Sequence, residues 1–96
     1  MILSNEPGYY REGAFGIRIE NLVLVVNDTD PTTERPFLRF ETLTVAPFER
    51  RLIDVTLLTA DEREWVDGYH ARVLADIGPL LDAVARAWLE RAAAPL

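Results

Sequence analysis

The most constraining feature of this chain is a pair of glutamates spaced evenly about a turn. Glu6 and Glu20 lie seven residues on either side of Gly13, and residues 11–14 (Arg-Glu-Gly-Ala) have turn-forming composition. A hairpin folded about Gly13 places the two side chains opposite each other, with Cβ atoms roughly 4.5–5.5 Å apart. Like charges at that separation repel unless something neutralises them, so the spacing indicates a shared cation.

The residues after the turn have the pattern of a strand. Apolar residues alternate with small or polar ones over positions 15–20, and an unbroken apolar run follows at positions 22–26. The alternation predicts one apolar and one polar face, and the run predicts a strand buried on both sides. We therefore expect Arg18 and Glu20 to face a cleft.

A second interpretation of the same residues involves no metal. Arg18 and Glu20 are also spaced to form a surface ion pair, and Glu6 also simply precedes a turn. Pro7 restricts Glu6 to extended backbone in either case. The spacing by itself leaves both interpretations open.

Two motifs carry a resemblance to a known family. Ser-Asn-Glu-Pro-Gly-Tyr-Tyr at residues 4–10 and Gly-Ile-Arg-Ile-Glu-Asn at residues 16–21 resemble the last two metal-binding motifs of the Xaa-Pro aminopeptidases (aminopeptidase P), pita-bread metallopeptidases of family M24. The likeness continues through residues 43–48, 52–54 and 64–70, which resemble the C-terminal extension of the longer members. It implies an α+β fragment of a pita-bread fold, with antiparallel strands followed by two amphipathic helices.

The resemblance also implies a role for four residues. Glu6 and Glu20 correspond to metal ligands, with Glu20 bridging two ions and Glu6 binding one and acting catalytically on the proton. Arg18 and Tyr10 correspond to residues outside the ligand set that hold the ligating carboxylates in place. The implied cofactors are two divalent metal ions, with manganese favoured and cobalt or zinc fitting the same cage.

The implied reaction is metal-assisted hydrolysis of the N-terminal Xaa-Pro peptide bond. The family's other ligands, two aspartates and a histidine, come from segments upstream of these motifs, so we expect this chain to be inactive by itself. The family further implies a homodimer. The alternative is a non-catalytic dimerisation or protein-binding module derived from the same family.

Size and composition limit the number of domains and the kinds of partner that this chain can have. The chain has 96 residues, enough for one small domain, and we divide it into residues 1–36, the end of a catalytic domain, and residues 37–96, the extension. It carries 16 acidic and 10 basic residues without a basic patch, which argues against nucleic acid or an anionic membrane as partner. No cysteine, secretory leader or 18-residue apolar span is present, so a cytoplasmic protein is expected.

The second half of the chain predicts one strand and two helices. Alternation predicts a strand over residues 37–45 that ends before Pro47, and residues 52–55 predict a brief extended stretch. Thr59 with Glu62 forms a capping box that starts the first helix.

Apolar residues at helical spacing continue along this first helix as far as Gly78-Pro79. Pro79 is expected to be the first residue of the second helix. In that second helix, four apolar residues share one side: Leu81, Val84, Trp88 and Leu89. We expect both tryptophans, Trp65 and Trp88, to pack in the core and His70 to lie on the helix surface.

Overall fold

The computed structural model describes residues 1–32 and 35–96, and it confirms the α+β class. Its strands are β1 (Ile2–Asn5), β2 (Gly8–Arg11), β3 (Phe15–Arg18), β4 (Asn21–Asn27) and β5 (Leu38–Thr42), and its helices are α1 (Ala60–Ile77) and α2 (Ala83–Ala92). The chain forms two compact units, Met1–Thr44 and Val45–Leu96. Among the described residues, no helix combines the length and apolarity that a membrane crossing requires.

The first unit is built on the predicted hairpin. Strand β2 pairs with β3, and β1 pairs with β4, both antiparallel and both in a register symmetric about Gly13. Gly13 has a φ of 69°, which a glycine adopts without strain, and the Ala14 N–H closes the turn on the Arg11 carbonyl at 3.1 Å. The register prediction is therefore confirmed.

A three-stranded sheet, in the order β1-β4-β5, forms the rest of this unit. Strand β4 is not buried on both sides by the described residues: Val23 is buried, whereas Leu22 is 47% exposed. The predicted strand at residues 37–45 is present but shorter, as β5, and it ends before Pro47 as expected. Residues 33–34, near the end of the first expected domain, lie outside the described residues.

The second unit is organised around α1. The Thr59 hydroxyl accepts a hydrogen bond from the Glu62 N–H at 3.1 Å, which confirms the predicted start of this helix. Its core consists of four buried residues from the two helices and the segment after α2, namely Tyr69, Val73, Leu89 and Ala93.

The beginning of the second helix was predicted wrongly. Pro79 lies in a 3₁₀ turn, Gly78–Leu80, and α2 begins at Ala83, where the Asp82 carboxylate accepts the Ala85 N–H at 2.8 Å. An aspartate at this position satisfies a free N–H of the first turn, which proline cannot do.

The predicted apolar side of α2 is only partly buried. Leu89 is 2% exposed, whereas Val84 is 83% and Trp88 is 56% exposed. Trp65 is half-exposed too, although its ring stacks on Tyr69 with centroids 5.5 Å apart. The prediction that both tryptophans pack in the core is therefore wrong, although Trp65 keeps an aromatic contact with the core residue Tyr69.

The extended stretch predicted at residues 52–55 is shorter than expected. Two 3₁₀ turns, Arg50–Leu52 and Val55–Leu57, occupy this region, and only the two residues between them, Ile53 and Asp54, are extended. Each turn is capped by the carboxylate before it, because Glu49 and Asp54 accept a backbone N–H two residues further on. Hydrogen bonds from the side chains of Arg51 and Thr56, followed by these backbone hydrogen bonds, lower the pKa of Glu49 and Asp54 respectively.

His70 is fully buried, so its predicted place on the surface is wrong. Its Nε2 accepts a hydrogen bond from the Phe48 N–H at 3.0 Å, which places the imidazole proton on Nδ1. That Nδ1 has no hydrogen-bond partner among the described residues. Burial is the main cause that lowers the pKa of His70 below its ordinary value.

Candidate metal centre

The two glutamates lie where the long hairpin is interrupted. Glu6 follows β1 and precedes β2, and Glu20 occupies the matching gap between β3 and β4. The Ile19 N–H donates to the Pro7 carbonyl at 3.1 Å and keeps the two chain segments together across this gap. The backbone thus holds both carboxylates at one place on the hairpin.

Ser4 joins the two carboxylates. Its hydroxyl donates to Glu6 Oε2 at 2.8 Å and lies 3.4 Å from Glu20 Oε1. One hydroxyl proton satisfies only one acceptor at a time, so the second carboxylate remains available for another partner. Sequence reasoning missed Ser4, although strand alternation places it on the same face as Glu6.

Arg18 and Tyr10 lie beside this pair. Arg18 Nε is 3.3 Å from Glu20 Oε2. A hydrogen bond to the Tyr10 hydroxyl and the negative charge of Glu20 raise the pKa of Arg18 above its ordinary value. The structure therefore brings together all four residues that the sequence motifs singled out.

The site lies on an exposed face. The Arg18 side chain is 52% and the Glu20 side chain 40% exposed, so the described residues do not form the cleft predicted around them. Residues on the opposite face of β3 are exposed as well, with Ile17 at 43%. An exposed ion pair of this kind contributes little to folding stability.

The chemistry of the donors fits part of a metal site. Two adjacent carboxylates supply hard oxygen ligands, which suit manganese and related divalent ions. Among the described residues, no group of three or more histidine, cysteine, aspartate or glutamate side chains is arranged to hold a metal ion. Glu6 and Glu20 thus fit two positions of a larger ligand set.

Comparison with known proteins identifies the family. Residues 36–96 match the family model described as the C-terminal region of peptidase M24. The chain belongs to the peptidase M24 family.

Peptidase M24 relatives are similar to the chain over its whole length. It is 48% identical over 99 aligned positions to a probable Xaa-Pro aminopeptidase P of Arthroderma benhamiae, and 45% identical over 100 positions to one of Laccaria bicolor. These alignments cover 99% and 100% of this chain but only 14% and 16% of the two relatives. The chain is therefore similar to a small part of each, and the resemblance found in its motifs is confirmed.

A solved structure supports the same placement in the M24 family. The X-prolyl aminopeptidase of Caenorhabditis elegans, described as a cytosolic enzyme with a di-nuclear active site, superposes with a TM-score of 0.82 at 35% identity. The match covers 99% of this chain and 16% of the nematode protein. This likeness confirms the predicted fold class.

Proposed function

We propose that the chain is the C-terminal part of a dinuclear metal-dependent aminopeptidase that hydrolyses the N-terminal Xaa-Pro peptide bond. One observation carries the proposal: the Glu6 and Glu20 carboxylates meet at a single Ser4 hydroxyl on the face that also holds Arg18. Arg18 contacts only Glu20 Oε2 among the two carboxylates, and two adjacent carboxylates supply the hard oxygen ligands that divalent ions take.

The four motif residues take distinct roles in this proposal. Glu20 and Glu6 would hold the metal pair, and Glu6 would also handle the proton of the attacking water. Arg18 would orient Glu20, and Tyr10 would orient Arg18. When bound, two divalent ions supply Lewis acidity towards water and the peptide carbonyl.

Manganese is the proposed metal, with cobalt or zinc able to occupy the same oxygen ligands. Two carboxylates rarely hold a divalent ion tightly, because such ions prefer six or more oxygen ligands or a closed set of four mixed ligands. We therefore propose that this chain alone is inactive and that the remaining ligands come from a segment outside it.

The exposed apolar side of the hairpin supports a larger assembly. Tyr9, Phe15, Ile17 and Ile19 are each 43–63% exposed, and they lie on the face of β2 and β3 opposite the glutamates. A contiguous apolar surface of this kind marks an interface. We propose that it packs against the rest of the catalytic domain and that residues 1–36 are the end of that domain.

A second candidate function rests on the other compact unit. Beside the exposed Trp88 lies a groove of about 370 Å³ lined by Pro47, Phe48, Glu49, Arg50, Arg51, Trp88, Arg91 and Ala92. Aromatic and arginine side chains are enriched at protein interfaces. A non-catalytic dimerisation or protein-binding module derived from the same family is the alternative proposal.

The proposal also covers cellular location, substrates and oligomeric state. Cytoplasmic location is supported by the description of the nematode neighbour as cytosolic. The substrates would be peptides with a penultimate proline, as the names of the relatives indicate. A homodimer formed through the C-terminal extension completes the proposal, and the exposed apolar residues of α2 support it.

A chimera provides the test of function. The matching segment of the Arthroderma benhamiae relative is replaced by this chain, and hydrolysis of an Xaa-Pro peptide is compared with that of the matched Xaa-Ala peptide. We expect manganese-dependent cleavage of the Xaa-Pro peptide, and loss of cleavage in the Glu6→Gln and Glu20→Gln chimeras. A folded chimera with no activity, or one whose activity survives both substitutions, would contradict the proposal and favour the non-catalytic alternative.

A further inference from the structure

The central hairpin pairs each large side chain of its polar face with a glycine. In the register of β2 and β3, Gly8 lies opposite Arg18, and Tyr10 lies opposite Gly16. Alternation along the strands places these four residues on one face, in line with Glu6 and Glu20. Tyr10 and Arg18 are therefore diagonal neighbours, each facing a residue without a side chain.

Both glycines leave space that the neighbouring side chains fill. A Cβ added at Gly16 would lie 2.7 Å from Tyr10 Cδ1. A Cβ added at Gly8 would lie 2.9 Å from the Tyr10 hydroxyl and 2.9 Å from Arg18 Cγ. Real Cβ atoms are essentially never found this close to other atoms. The Tyr10 ring thus crosses Gly16, and its hydroxyl meets the Arg18 side chain above Gly8.

Backbone conformation does not explain these glycines. Among the described residues, Gly13 is the glycine with a positive φ, so Gly8 and Gly16 have backbone angles that other residues also adopt. What they provide is room on a crowded face. A tyrosine packed across a cross-strand glycine also covers backbone that would otherwise be exposed, which stabilises such pairs in sheets.

We propose that Gly8 and Gly16 are positioning residues for the metal-binding carboxylates, acting through Tyr10 and Arg18. The absence of side chains at the two glycines leaves room for the Tyr10 ring in one position, and Tyr10 in turn limits the positions of the Arg18 side chain. Arg18 Nε lies 3.3 Å from Glu20 Oε2 and holds that carboxylate in one orientation. This inference rests on the proposed function, because a metal ligand needs its carboxylate held within a narrow range of positions.

The first test follows the Arg18 side chain in the 96-residue chain by NMR. Its Nε–H signal reports the contact with Glu20 directly. We expect Gly8→Ala and Gly16→Ala to move this signal towards that of a free arginine. Gly68→Ala is the matched control, because a Cβ there meets no atom within 4 Å. The Gly68→Ala control should leave the signal in place.

A double-substitution cycle separates positioning from general damage. If Gly16 acts through Tyr10, Gly16→Ala should add no further shift in a Tyr10→Ala background. Tyr10→Phe keeps the ring and removes the hydroxyl, so it should shift the Arg18 signal even if an alanine variant fails to fold. An unmoved Arg18 signal in Tyr10→Phe, or an undiminished effect of Gly16→Ala without Tyr10, would overturn the proposal.

The second test measures metal affinity in the chimera described above. Loss of a residue that supports a ligand typically weakens metal binding about 10- to 100-fold. We expect Gly16→Ala to weaken Mn²⁺ binding by that factor and Gly68→Ala to leave it unchanged. Unchanged affinity in Gly16→Ala would overturn the positioning role and leave the proposed function intact, whereas an unsubstituted chimera that binds no metal would overturn the proposed function itself.

Discussion

At the scale of single residues, the turn at Gly13 brings Glu6 and Glu20 to matching positions on the hairpin, and His70 lies on the buried face of α1. The symmetric spacing of Glu6 and Glu20 about Gly13 fixed their register, because antiparallel pairing depends only on where the turn lies. His70 was assigned to the surface because it is polar. Its helical spacing, four residues after Val66 and three before Val73, was the signal that it shares their buried face.

Glu20 should contribute almost nothing to folding of the chain. Its ion pair with Arg18 is exposed, so removal of the carboxylate breaks an interaction that solvent already screens. We expect Glu20→Ala to leave the melting temperature of the 96-residue chain nearly unchanged, as measured by circular dichroism. A large loss of stability would show that the carboxylate is structural and would remove the argument for metal binding.

His70 should make stability depend on pH. Burial lowers its pKa in the folded state, so the unfolded chain binds a proton more readily. The neutral His70 ring therefore makes its full contribution to the free energy of unfolding above the unfolded pKa of about 6.5. This contribution is lost as the pH falls from there through the folded pKa.

The measurement for His70 is thermal unfolding between pH 7.5 and pH 5. We expect the melting temperature to fall towards pH 5 in the unsubstituted chain and to be much less dependent on pH in His70→Gln. Asp30, Glu49 and Asp54 also have lowered pKa values, but carboxyls with an ordinary pKa near 4 titrate below this window. Equal pH dependence in both proteins would contradict the assignment to His70.

At the scale of elements, patterns set by local chemistry were predicted and patterns set by packing were not. The Thr59 cap and the Gly13 turn depend on neighbouring residues alone, and both are present. The start of α2 was missed because Pro79 and Asp82 are both good starting residues, and the choice depends on how the chain packs after α1. The 3₁₀ turns near Ile53 were missed because a short apolar run does not reveal its conformation.

Arg50 should be important for the end of α2. Its guanidinium donates to the carbonyls of Arg91, Ala94 and Pro95 at 2.9–3.1 Å, and so satisfies acceptors that the helix leaves free. We expect Arg50→Ala to lower the free energy of unfolding by about 1–3 kcal/mol, since hydrogen bonds from a charged donor are involved. Urea denaturation measures this loss.

The neighbouring arginine provides the matched control for this prediction. Arg51 is paired only with Glu49 among the described residues, and its side chain is 84% exposed. Arg51→Ala should therefore leave the urea midpoint nearly unchanged. Equal effects of the two substitutions would mean that α2 does not depend on the Arg50 contacts.

At the scale of the whole molecule, the chain corresponds to a small part of the relatives that it matches. The chain spans 14–16% of the relatives and of the solved neighbour that it matches. The apolar side of the hairpin is proposed to pack against a segment outside this chain, and the sequence of this chain alone does not identify that segment. Alternation predicted a buried face, and the described residues leave it open.

The chain alone should bind manganese weakly. Two carboxylates supply a small part of the oxygen ligands that such an ion takes, so binding at micromolar Mn²⁺ is not expected. Native mass spectrometry with and without added Mn²⁺ reports bound metal and subunit number together. A metal-free species is the expected result, and an oligomer that carries stoichiometric metal would show that copies of this chain complete the site between them.

The most direct test of the central claim is the metal content of the chimera in which this chain replaces the matching segment of the Arthroderma benhamiae relative. Glu6 and Glu20 are proposed to be two ligands of a metal pair. Elemental analysis should give about two divalent ions per subunit, as expected for a two-metal site, and clearly fewer in the Glu20→Gln chimera. A folded Glu20→Gln chimera that keeps its full metal content would contradict the assignment of this site.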